Sequence, residues 1–110
     1  MATTNPDFAT QKVTDRNTSV LARFTSVAGV TMEQYDETVR RLEKAGDWLP
    51  DGLAYHVAFK SNGTLRVSEI WDSQEQLDAF SERLMPILSD VGIELSGKPE
   101  MLEIHNILKR

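Results

Sequence analysis

The chain alternates between two kinds of hydrophobic spacing, and the changeovers set out its elements. SVLARFTSV, beginning at Ser19, alternates: Val20, Ala22 and Phe24 point one way, and Leu21, Arg23, Thr25 and Val27 the other, which is strand periodicity. Ala28-Gly29 breaks it. From Thr31 the spacing becomes helical, with Tyr35, Val39 and Leu42 on one face. Thr31 and Gln34 form a T-x-x-Q capping box, Val30 is placed to staple against Tyr35, and Gly46 stops the helix. These signals predict a helix over about 32–45. DWLPDG follows as a loop whose Trp48 and Leu49 are expected to tuck back over the core.

LAYHVAFK, Ser61-Asn62-Gly63-Thr64 and LRVSEIW read as a hairpin with Asn-Gly at its tip, suited to a type I′ turn. A two-residue loop pairs Ser61 with Thr64. Phe59 then faces Arg66, Val57 faces Ser68, His56 faces Glu69 and Ala54 faces Trp71. Ser73, with Gln76 three residues on, opens a second helix whose stripe is Leu77, Phe80, Leu84, Leu88 and Val91, with Pro86 expected to bend it. Over residues 72–94 this helix gathers Asp72, Glu75, Asp78, Glu82, Asp90 and Glu94 against the single base Arg83, the mark of a solvated outer face. MLEIHNIL reads as a last strand after the Ser96–Pro99 loop.

The order is β-α-β-β-α-β, an α+β ferredoxin-like fold with strand order 4-1-3-2 and both helices on one face of an antiparallel sheet. In the hairpin, Tyr55, Val57, Phe59, Ser68 and Ile70 are expected under the helices because they are bulky and apolar. Ala54, His56, Ala58, Val67, Glu69 and Trp71 are then left on the open face. That second set is too apolar for water, so a second copy of the chain is expected to cover it.

Composition narrows the function. At 110 residues and 40% hydrophobic content the chain holds one domain, residues 19–110, preceded by a Thr-, Asn- and Asp-rich arm over 1–18. A net charge of −5 argues against nucleic acid. The absence of Cys removes disulfides and thiolate chemistry, and two His residues alone do not suggest a metal site. No apolar run approaches the roughly 18 residues of a membrane span, so a cytoplasmic protein is expected.

FTSVAGVTMEQYDETVRRL, LAYHVAF followed by LRVSEIWDSQEQLDAFSERLMPIL, and EIHNIL together resemble the dimeric α/β-barrel superfamily, in particular antibiotic-biosynthesis-monooxygenase-like proteins. The resemblance spans most of residues 19–108. It implies a homodimer, no cofactor, and a small apolar or aromatic ligand in a barrel cavity. It does not fix an activity, because fold and function separate.

Three readings of that cavity follow. In the first, the chain is a cofactor-independent monooxygenase-like enzyme, or a related isomerase or cyclase, acting on an aromatic or polyketide-like substrate. His56 removes a proton, Glu69 orients it, Arg23 holds the developing oxyanion, and Trp71, Ala58, Val67 and His105 line the pocket. The second is a non-catalytic dimeric small-ligand-binding protein. The third, ranked last, is a haem protein using His56 or His105. Against each candidate stands a plainer role: an interface ion pair for His56–Glu69, a salt bridge for Arg23, an interface histidine for His105. Tyr35 and Phe80 read as core.

Overall fold

The computed structural model describes residues 19–110; the expected arm at 1–18 lies outside them. The elements are β1 (Val20–Thr25), α1 (Met32–Lys44), β2 (Leu53–Ser61), β3 (Thr64–Trp71), α2 (Gln74–Val91) and β4 (Glu100–Glu103). The four strands form one antiparallel sheet in the order β2-β3-β1-β4.

Local chemistry places both helices. Thr31 Oγ1 accepts from Gln34 N at 3.1 Å, and Gln34 Oε1 accepts from Thr31 N at 2.8 Å, completing the capping box. The same Gln34 side chain donates to the carbonyls of Val91 and Gly92 at 3.2 and 3.3 Å. The start of α1 is thereby tied to the end of α2. Ser73 caps α2, which continues through Pro86 to the left-handed Gly92. At the hairpin tip both Asn62 (φ 52°) and Gly63 (φ 80°) take the positive φ that a type I′ turn needs.

The hairpin register matches the sequence expectation from Tyr55 onward, His56 opposite Glu69 included. It departs at the start of β2. Leu53, not Ala54, stands opposite Trp71, because a bulge absorbs Ala54.

The larger correction concerns the faces of the sheet, which are exchanged. Trp71 is fully buried and packs with Ala22, Leu42, Leu77 and Phe80 beneath the helices. His56, Ala58, Val67 and Glu69 share that helix-covered side by strand alternation. Tyr55 (53% exposed) and Phe59 (36%) stand on the uncovered side. Burying the large Trp71 indole between two helices favours this choice, and the small Ala22 beside it leaves room for the helices to approach. The outer face is built from Leu21, Arg23, Tyr55, Val57, Phe59, Ile70 and Leu102.

β4 is also shorter than expected. Its last residue, Glu103, pairs with Val20, where β1 begins, so residues beyond it have no strand to bond. No helix among the described residues is long and apolar enough to cross a membrane.

Candidate functional site

A cavity of about 560 Å³ lies between the sheet and the two helices. Most of its wall is apolar, from Phe24, Leu42, Val67, Leu84 and Leu88 among others. Its exposed members, including Asp78 and Met85 of α2 and Gly97, Lys98 and Met101 near β4, mark the mouth.

Polar groups converge at one place in that wall. β2 and β3 set His56 beside Glu69, with Nδ1 2.6 Å from Oε2. Trp71, two residues along β3 and so on the same face, donates its Nε1–H to Glu69 Oε1 at 2.8 Å. α1 brings Tyr35 over the sheet, with Oη 2.7 Å from His56 Nε2. The result is one hydrogen-bonded chain, Tyr35–His56–Glu69–Trp71. The His56 and Glu69 side chains are only 15% and 7% exposed.

The direction of the chain follows from its ends. Indole N–H can only donate, so Glu69 Oε1 accepts. With a carboxylate at Oε2, His56 carries its proton on Nδ1 and leaves Nε2 bare to accept from the Tyr35 hydroxyl. A carboxylate buried with two donors on it is satisfied, which is why β3 can carry Glu69 under the helices.

The His56 ring is also held on its flanks. The Tyr35 ring lies nearly parallel at 6.0 Å between centroids, and Trp48 presents an edge at 5.1 Å. Trp48 is fixed through its neighbour, since Asp47 pairs with Arg83 of α2 at 3.0 Å. Burial raises the Tyr35 pKa above its ordinary 10.0, and the charges of Glu69 and Asp36 raise it further. Tyr35 therefore rests as a neutral phenol.

Of the residues singled out from the sequence, His56, Glu69 and Val67 line this cavity. Trp71 stands behind Glu69 as a hydrogen-bond donor and is buried out of reach of a ligand. Ala58 packs in the neighbouring apolar cluster around Leu65 and Leu88, outside the lining. Arg23 is corrected: opposite Ser68 and Glu100, it stands on the outer face, across the sheet from His56. His105 is corrected too, since it is exposed beyond the end of β4. Leu49 is exposed, so only Trp48 of that pair folds back. The sequence reading placed Tyr35 in the core and so left it out of the site. The available signal was its place on the buried face of α1, but only the packing of α1 over β2 brings it to His56.

No protein-family model matches the chain, and no curated protein does. Solved structures match in fold. A variant of SnoaB, a cofactor-independent oxygenase from Streptomyces nogalater, superposes with a TM-score of 0.61 at 8% identity, covering 84% of this chain and 99% of its own. MupZ from Pseudomonas fluorescens gives 0.60 at 8% identity, over 86% and 91%. A Caulobacter crescentus CB15 protein, provisionally assigned as an antibiotic biosynthesis monooxygenase, gives 0.60 at 14% identity, over 86% and 97%. The chain therefore shares the ferredoxin-like fold of these structures.

Proposed function

We propose that this protein is a small-molecule enzyme of the cofactor-independent oxygenase type, acting on an aromatic or polyketide-like substrate held between sheet and helices. The observation that carries the reading is the Tyr35–His56–Glu69–Trp71 chain opening on an apolar cavity. An apolar wall selects a flat, hydrophobic molecule. The hydrogen-bonded chain supplies the one thing such a molecule needs to react with dioxygen, a place for its acidic proton. The name of the SnoaB neighbour, a cofactor-independent oxygenase, is in keeping with this chemistry.

In this reading a ring methylene of the substrate loses a proton to the chain, and His56 becomes an imidazolium beside Glu69. The carbanion passes one electron to dioxygen and the two radicals combine at carbon. The peroxide formed takes a proton and loses water, so that R₂CH₂ and O₂ become R₂C=O and H₂O.

The test is oxygen uptake with an anthrone, a tricyclic ketone with an acidic ring methylene. The wild-type chain should consume one O₂ per anthrone, and His56→Ala should lower the rate by about 10²-fold or more. Anthrone binding without uptake would favour the non-catalytic ligand-binding reading instead.

A second copy of the chain is the proposed occupant of the outer sheet face. Leu21, Val57, Ile70 and Leu102 form an apolar centre on that face. Arg23 stands opposite Glu100, and Arg66 lies 5.8 Å over the Phe59 ring, so both signs of charge are present for self-complementary pairing.

A further inference from the structure

We infer that the atom which receives the substrate's proton is Tyr35 Oη, with His56 as the base behind it rather than in contact with the substrate. The inference rests on the proton-abstraction reading above and assigns its first step to an atom.

Both nitrogens of His56 are already engaged within the protein, Nδ1 by Glu69 at 2.6 Å and Nε2 by Tyr35 at 2.7 Å. The ring is flanked by Tyr35 and by the edge of Trp48. A ligand in the cavity therefore finds no free nitrogen on His56. It does find Tyr35 in the cavity wall, whose oxygen spends its proton on Nε2 and keeps lone pairs for another donor. The polarity of the chain is right for a relay. Trp71 and His56 both donate to Glu69, Tyr35 donates to His56, and so Tyr35 is the member left to accept from outside.

The step balances without an added reagent. The substrate C–H bond breaks, its proton joins Tyr35 Oη, and the phenolic proton moves to His56 Nε2. The electron pair stays on carbon. The products are a carbanion, a neutral Tyr35 and an imidazolium held against the Glu69 carboxylate. Tyr35 never needs to exist as a free tyrosinate, which accords with the burial and the acidic neighbours that keep it protonated. The arrangement follows the logic of a hydroxyl–imidazole–carboxylate triad, with a phenol in the hydroxyl position.

The experiment follows anthrone carbanion formation by its visible absorption, under argon, at constant pH. Wild type should form the carbanion. Tyr35→Phe, which keeps the ring and removes the hydroxyl, should slow its formation by about 10²-fold or more. Far-ultraviolet circular dichroism and anthrone binding should be unchanged. If Tyr35→Phe forms the carbanion as fast as wild type or faster, the freed Nε2 is acting directly, and the relay is overturned while the enzyme reading stands. If wild type forms none, both fall. A second measurement on wild type alone does not depend on the variant folding. In the relay the Tyr35 proton exchanges with solvent and the methylene proton does not. Methylene-deuterated anthrone and D₂O should therefore each slow the step, and their effects should multiply. A substrate isotope effect with no solvent effect would overturn the relay.

Discussion

Exchanging Glu69 for Gln leaves the shape of the side chain and breaks the logic of its hydrogen bonds. The amide oxygen can satisfy only one of the two donors that the carboxylate serves, Trp71 Nε1–H and His56 Nδ1–H. With its oxygen kept on Trp71, its NH₂ faces Nδ1, and His56 must carry its proton on Nε2 instead. That nitrogen can then no longer accept from Tyr35. Glu69→Gln should therefore cut turnover by about 10²-fold. It should move the His56 proton from Nδ1 to Nε2, read by ¹⁵N NMR of the ring. A His56 tautomer indifferent to Glu69 would remove the basis of the site. Trp71→Phe keeps most of the packing and strips one donor from the carboxylate; it should cost about 1–3 kcal/mol in urea denaturation. Tyr35 adds a pH dependence with a fixed sign. Its pKa is raised in the folded protein, so folding favours the protonated phenol. The associated stability is fully present below the ordinary 10.0 and is lost as pH rises above it. Thermal stability should fall less steeply above pH 10.0 in Tyr35→Phe than in wild type.

Turns rather than helix interiors are where single changes should separate one structural cause from another. Gly63 (φ 80°) sits at the hairpin tip, where an added Cβ would meet nothing within 4 Å. Gly63→Ala should cost only the left-handed backbone penalty, about 1–2 kcal/mol. Gly52 has a similar φ of 90°, but a Cβ there would fall 2.5 Å from the Gln76 side chain. Gly52→Ala should cost more than Gly63→Ala, because it also disturbs the first turn of α2, where Ser73 Oγ donates to Gln76 Oε1 at 3.0 Å. Chemical denaturation of the two variants side by side measures the difference. Equal losses would show that crowding at Gln76 relaxes freely.

The whole molecule leaves an antiparallel sheet with one face covered by helices and the other built partly of large apolar side chains. Leu102 is 40% exposed there and Tyr55 53%. An apolar face of this kind associates more readily than it stays in water. Sedimentation at micromolar concentration should show a species of twice the 12.4 kDa chain mass. Ile70→Glu, in the central strand of that face, should yield a monomer that retains its far-ultraviolet circular dichroism. A monomeric wild type would refute the proposed pairing of outer faces.

Much of this was legible along the chain. Thr31 and Gln34 announce α1, Ser73 announces α2, and Asn62-Gly63 sets the hairpin register that brings His56 to Glu69. Those features depend on neighbours a few residues apart, so local chemistry decides them. Which face of the hairpin the helices cover is a different matter. Alternation divides the residues into two sets but does not say which set is inside. Both sets were apolar enough to qualify, Tyr55, Val57 and Phe59 on one side and Trp71, Val67 and two alanines on the other. The choice fell to the packing of α1 and α2 over Ala22 and Trp71, a matter of shape across elements distant in sequence. That choice sent Arg23 to the outer face and put Tyr35 on His56. The sequence by itself determined the elements, their order and the His56–Glu69 pair; only the tertiary structure decided that the pair would be roofed by helices and completed by a tyrosine, because burial is settled between elements and not within them.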